Sequence, residues 1–116
     1  FTEAADALDP AEYVIPAPWE EYAVTDEAEG EHMVYKWFSG GRLQVLVEIA
    51  RQLPEDSAQP GETEPVMVGA LWGAYCEENH SLLLHDGAVS IFIEYFNGSR
   101  DEVLAYAERF AEANKR

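Results

Sequence analysis

The stretch Cys76-Glu77-Glu78-Asn79-His80, followed by His85-Asp86, is the densest group of reactive side chains in the sequence. It offers one thiol, two imidazoles and three carboxylates, the ingredients of a metal site or of a thiol nucleophile with its base. The spacing argues against both. His80 and His85 are five apart, an odd interval, so on one strand they point to opposite faces. Cys76 and His80 are four apart and are expected to flank a turn. The sequence has no second cysteine, no His-x-x-x-His pair and no calcium-loop pattern. The stretch therefore reads as surface turn residues beside a half-buried strand cysteine, with no catalytic residue and no metal ligand assigned.

Other chemistries fare no better. Glu20-Glu21 and Glu77-Glu78 put neighbouring carboxylates on opposite strand faces, poor geometry for acid–base work. Ser39-Gly40-Gly41 lacks the lysine and the following helix of a phosphate-binding loop. No cofactor is expected. Trp19, Trp37 and Trp72 remain as candidates for a partner- or ligand-binding face. Core and sheet packing is the competing account, because aromatics are favoured in strands.

The elements that must position these residues follow from periodicity. Residues 2–12 form a weak acidic helical start limited by Pro10. Residues 1–15 read as an acidic N-terminal segment, ahead of a single domain over 16–116. Pro16-Ala17-Pro18-Trp19 is an extended entry, since proline pushes the preceding residue out of the helical region. Alternation predicts strands over 21–25, 32–38, 43–49, 66–75, 82–85 and 88–96. Residues 26–31 are expected as a turn and Ser39-Gly40-Gly41 as a hairpin connection. Residues 53–65 are expected as the long loop, and Gly69 and Gly73 as bulges or close approaches. Asp86-Gly87 has the form of a two-residue hairpin turn.

The strand over 88–96 is apolar on both faces, so a central place is expected for it. Ser99 and Glu102 have capping-box spacing at the head of a last helix. Val103, Ala107 and Phe110 form its apolar stripe, and Glu108, Arg109 and Glu112 are expected to face water. Lys115 and Arg116 suit its negative end. The fold class is α+β. We expect a curved antiparallel sheet of six to seven strands, built in sequence order, with the C-terminal amphipathic helix packed on one face.

Bulk properties narrow the partners. The 116 residues are 47% hydrophobic and carry a net charge of −16. Ten acidic residues precede the first Lys or Arg, Lys36. Such a field repels phosphate backbones, so nucleic acid is excluded as a partner, while basic proteins and cations are attracted. No run approaches the ~20 apolar residues that span a bilayer. The chain starts at Phe1, which suggests that an upstream segment was removed; membrane attachment is expected only through such an anchor. The lone Cys76 excludes an internal disulfide and fits cytoplasmic and extracytoplasmic proteins alike.

The order of features resembles a group of uncharacterised extracytoplasmic domains found on bacterial lipoproteins and anti-sigma-factor-like membrane proteins. The resemblance is carried by Pro16-Ala17-Pro18-Trp19-Glu20-Glu21-Tyr22, by Val66-Met67-Val68-Gly69 with Gly73-Ala74-Tyr75, by Asp86-Gly87 and by Ser99-Arg100-Asp101-Glu102. His85 stands where such domains often have an aromatic. The resemblance implies an extracytoplasmic, cell-surface or membrane-anchored location, a sensing or interaction role, and no catalytic residues. The expected function is thus a non-enzymatic extracytoplasmic sensor or protein-interaction domain of a bacterial surface protein or lipoprotein. The alternative is an acidic inhibitor or immunity-type protein that binds a basic partner, with the cytoplasm as the alternative location. An enzyme would have to rest on Cys76, His80 and His85.

Overall fold

The computed structural model describes residues 9–30, 32–51 and 59–115. The helical start expected before Asp9, residues 53–58 of the expected long loop and Arg116 lie outside the described residues. Among the described residues seven strands are formed: β1 (Ala23–Glu29), β2 (Met33–Gly40), β3 (Leu43–Ala50), β4 (Thr63–Val68), β5 (Leu71–Cys76), β6 (Ser81–Asp86) and β7 (Val89–Phe96). A 3-10 turn over Pro10–Glu12 precedes them and an α-helix, α1 (Arg100–Ala113), follows. The α+β class, the antiparallel sheet and the closing helix agree with the sequence reading.

The strand order does not. The sheet runs β1-β2-β3-β7-β6-β5-β4 and is open at both edges. Two meanders, β1 to β3 and β4 to β7, meet along the β3–β7 pair. The physical reason lies in these two strands, each apolar on both faces. Val45, Val47 and Ile49 share β3 with Leu46, and Ile91 and Ile93 share β7 with Phe92; all are buried. Placing β3 beside β7 puts the two most apolar strands where both faces are shielded, with β7 in the middle as expected.

Three boundaries also differ. β1 continues through Asp26–Glu29, where a turn is expected, after an irregularity between Val24 and Asp26. An edge strand needs no buried face, so its carboxylates hide it from pattern reading while suiting an exposed edge. The run from Val66 to Tyr75 is two strands, because Gly69 adopts φ +60° and opens a tight turn with Ala70 between the paired Val68 and Leu71. The last hairpin turns on Gly87-Ala88, since Asp86 is already paired with Val89. β4 begins at Thr63, inside the expected loop, and holds Pro65 on the sheet edge, where a missing N–H is tolerated.

Helix α1 covers one face. Val103, Tyr106, Ala107 and Phe110 are buried against Val45, Val47, Leu82, Leu84, Ile91 and Ile93. The Ser99 hydroxyl caps the helix by accepting the Glu102 N–H at 3.3 Å. Arg100 donates to both Glu64 oxygens, at 3.3 and 2.7 Å, tying the helix start to β4. The chain before β1 runs along the other half of α1. Asn114 pairs with both backbone groups of Val14, accepting at 2.7 Å and donating at 2.8 Å. Tyr106 donates to Pro16 O at 2.8 Å, and Arg109, exposed as expected, donates to the carbonyls of Ala17 and Pro18. Tyr13 is buried, stacks on Phe110 and donates to Asp86 Oδ2 at 2.7 Å.

Candidate functional site

Beneath α1 the strand side chains are shut off from solvent, whereas the other face of the sheet, here the open face, has no helix over it. Antiparallel register aligns its side chains in rows across the strands. One row reads Met67, Trp72, His85, Ser90 and Ala50 across β4, β5, β6, β7 and β3. Met67 is 70% exposed and Trp72 58%, the two most exposed large apolar side chains among the described residues. Trp72 packs against the His85 ring with centroids 4.6 Å apart, and His85 Nδ1 lies 3.3 Å from Ser90 Oγ. The ladder Met67–Trp72–His85–Ser90 is thus ordered at one end and presented to solvent at the other. Exposed Pro65 and half-buried Leu83 and Ala74, in the next row, extend the apolar surface.

The three tryptophans do not form one face. Trp19 lies on the α1 side, over Gly40, where any Cβ would come within 2.2 Å of its indole nitrogen. Trp37 is on the open face but packs edge-on against Phe96 at 5.3 Å. It sits four strand spacings from Trp72, roughly 19 Å at ~4.8 Å per strand. Of the three, Trp72 is the exposed one, and Trp19 and Trp37 are half-buried.

The reactive residues are held in structural roles. Cys76 is fully buried at the end of β5. His80 is in the turn, at φ 48°, and does not lie on a strand with His85. Its Nε2 lies 3.1 Å from Glu77 Oε2, while the Tyr75 hydroxyl donates to Glu77 Oε1 at 3.1 Å. Burial, then Glu77, pushes the Tyr75 hydroxyl up to about 12. Tyr95 is pushed up to about 12 by burial as well, and Tyr106 further still. These phenols stay protonated and serve packing and hydrogen bonding. Among the described residues no group of three or more His, Cys, Asp or Glu could hold a metal ion, and no helix is long and apolar enough to cross a membrane.

A carboxylate on the open face is perturbed. Glu94 on β7 is half-buried, and its carboxyl is raised above the ordinary value, chiefly by burial, with Glu48 adding repulsion and an Asn79 hydrogen bond opposing both. Gln59, just ahead of β4, lies over this region and donates to Ala74 O at 2.9 Å and Ser81 O at 3.2 Å.

Met67 escapes the sequence reading for a definite reason. In a single strand over 66–75, Met67 and Trp72 are five apart and face opposite ways. The turn at Gly69 folds them onto one face, and that glycine was the available signal. A second feature also needs the tertiary structure: a cleft of about 1110 Å³ between the C-terminal half of α1, the β4–β5 turn and Tyr13. Together these features define an open seven-stranded antiparallel sheet, helix-covered on one face and aromatic at one edge of the other. No family model, curated protein or solved structure matches the chain.

Proposed function

We propose that this chain is a non-enzymatic protein-interaction domain of sensor type, displayed outside the membrane of a bacterium, and that it makes contact through the open face around Trp72. The observation that carries the reading is the exposed Met67–Trp72 pair, braced from behind by His85 and Ser90. Large apolar side chains grouped at a sheet edge favour contact with another protein, and tryptophan is among the residues that dominate such contacts. The structural commitments of Cys76, His80 and Glu77 favour this reading over catalysis. The extracytoplasmic location is supported by the resemblance described above.

The test is photo-crosslinking in the source cell, with the reactive group placed at position 67 or, as a control, at exposed position 105 on α1. One defined protein adduct from position 67, absent from position 105, is the expected result. Equal labelling from both positions, or none, rejects the contact face. Protease digestion of intact cells that spares the domain rejects the location.

A second reading, an acidic inhibitor of a basic protein, is favoured by one specific feature. β1 exposes Asp26, Glu27 and Glu29 along a free sheet edge of a chain with net charge −16. Such a field accelerates capture of basic partners. A basic adduct whose yield falls steeply with salt supports that reading; a salt-insensitive adduct excludes it.

A further inference from the structure

We propose that the cleft beside the C-terminal half of α1 is a docking site for a basic apolar peptide segment, one whose aliphatic residue is flanked by Lys or Arg. It lies on the opposite side of the sheet from Trp72 and does not depend on the role proposed for that residue. The floor is apolar: Leu71, Phe110 and Tyr13 line it. Room is made by small residues, since the space above Gly69 is bounded by the Ala111 methyl, 3.3 Å from where a Cβ would stand. At about 1110 Å³ the cleft exceeds the ~300–1,000 Å³ of a typical small-molecule pocket, which suits a segment of chain.

Charge complementarity selects the occupant. Asp86, Glu108 and Glu112 line the cleft, against a single base among the described residues, Lys115. Glu108 and Glu112 are four apart on α1, a spacing at which like charges repel. Glu112 also sits in the last turn, where the helix dipole is negative, and that turn contains no basic residue. Neither glutamate makes an ion pair among the described residues. A Lys or Arg from a partner would relieve both repulsions, and the adjoining apolar residue would pack on the rim formed by Ala70, Leu71 and Ala111. Phosphate groups and anionic lipid headgroups would meet the same carboxylates unfavourably.

The probe is a short synthetic peptide of Lys, Leu and Ala, titrated into the full chain and followed by amide NMR. Shifts should centre on residues 69–71 and 108–115, and affinity should fall as salt rises. The double variant Glu108→Gln/Glu112→Gln, whose exposed side chains leave the fold intact, should bind about tenfold more weakly. Ala111→Trp, which fills the cleft, should weaken binding similarly if its melting curve shows it folded. Trp72→Ala should bind like wild type, which keeps this result separate from the fate of the Trp72 face. The proposal is overturned if the double variant binds as tightly as wild type or if the shifts spread along β1. It is also overturned if a Ser-for-Leu peptide or spermine binds equally well, because the acidic field alone would then suffice.

Discussion

The two faces of the sheet are built from the same strands but obey different rules. On the α1 side, Val45, Val47, Ile49, Leu82, Leu84, Ile91 and Ile93 are all shut off from solvent. On the open side, Phe92 and Ala50 are as deeply buried, yet Met67 and Trp72 a few strands away stand in solvent. Residue type does not decide this; position across the sheet does. Apolar side chains at the centre stabilise the fold, and the same kind of side chain at the β4 edge leaves a surface available for contact. The side chains packed under α1 should therefore carry the stability and those at the β4 edge of the open face should not, and substitutions can break that division.

The largest expected effect is on the covered face. Phe110→Ala should cost about 3–5 kcal/mol in urea unfolding, as truncating a buried phenylalanine does. That is a large share of the ~5–15 kcal/mol of a whole domain. An unchanged midpoint would mean that α1 does not close the core. Tyr13→Phe keeps the stack on Phe110 but deletes the 2.7 Å bond to Asp86, and should cost about 1.5–3 kcal/mol, nearer the lower figure because the site is only partly buried. Ser99→Ala should cost about 1 kcal/mol through loss of the cap, also measured by urea unfolding. Trp72→Ala should move stability by no more than about 0.5 kcal/mol, as changes at exposed positions do. If thermal and urea melts put Trp72→Ala near Phe110→Ala, the open face is a second core and the division of labour fails.

What was legible in the sequence was whatever repeats along one element. The stripe Val103, Ala107, Phe110, the Ser99 cap and the two-sided apolar character of β7 all depend on neighbours within one helix or strand, and each stands in the structure. Gly73 is a close approach, with Leu83 O within 1.8 Å of a built Cβ. The misses depend on partners far away in sequence. The β3–β7 junction pairs residues some 45 apart, as Val45 with Tyr95 and Ile49 with Ile91, and no local pattern announces it. β1 shows no alternation beyond Thr25 because edge position releases a strand from it. The candidate site suffered most. Trp72 stands out in the sequence beside Trp19 and Trp37, but its companion Met67 needs the turn at Gly69, and the α1 cleft needs Tyr13, Leu71 and Phe110 brought together.

The smallest expected effect sharpens the contrast through pH. Glu94 lies on the open face, and burial raises its carboxyl above the ordinary value. Between its unfolded and folded pKa values the native chain retains a proton that the unfolded chain has lost. Stability therefore falls as pH rises through that window, and the cost of the buried charge is fully present at neutral pH. Glu94→Gln removes the charge while leaving a side chain that can still pair with Asn79. The variant should be more stable than wild type at neutral pH, and its advantage should shrink as pH is lowered into the window. The difference between the two urea-derived stability curves is the quantity to follow, because the other carboxylates titrate in both proteins and cancel. A difference that is flat with pH, or a variant less stable at neutral pH, would mean that the Glu94 carboxylate is a favourable part of the open face. The polar residues there would then contribute to the fold as Phe92 does.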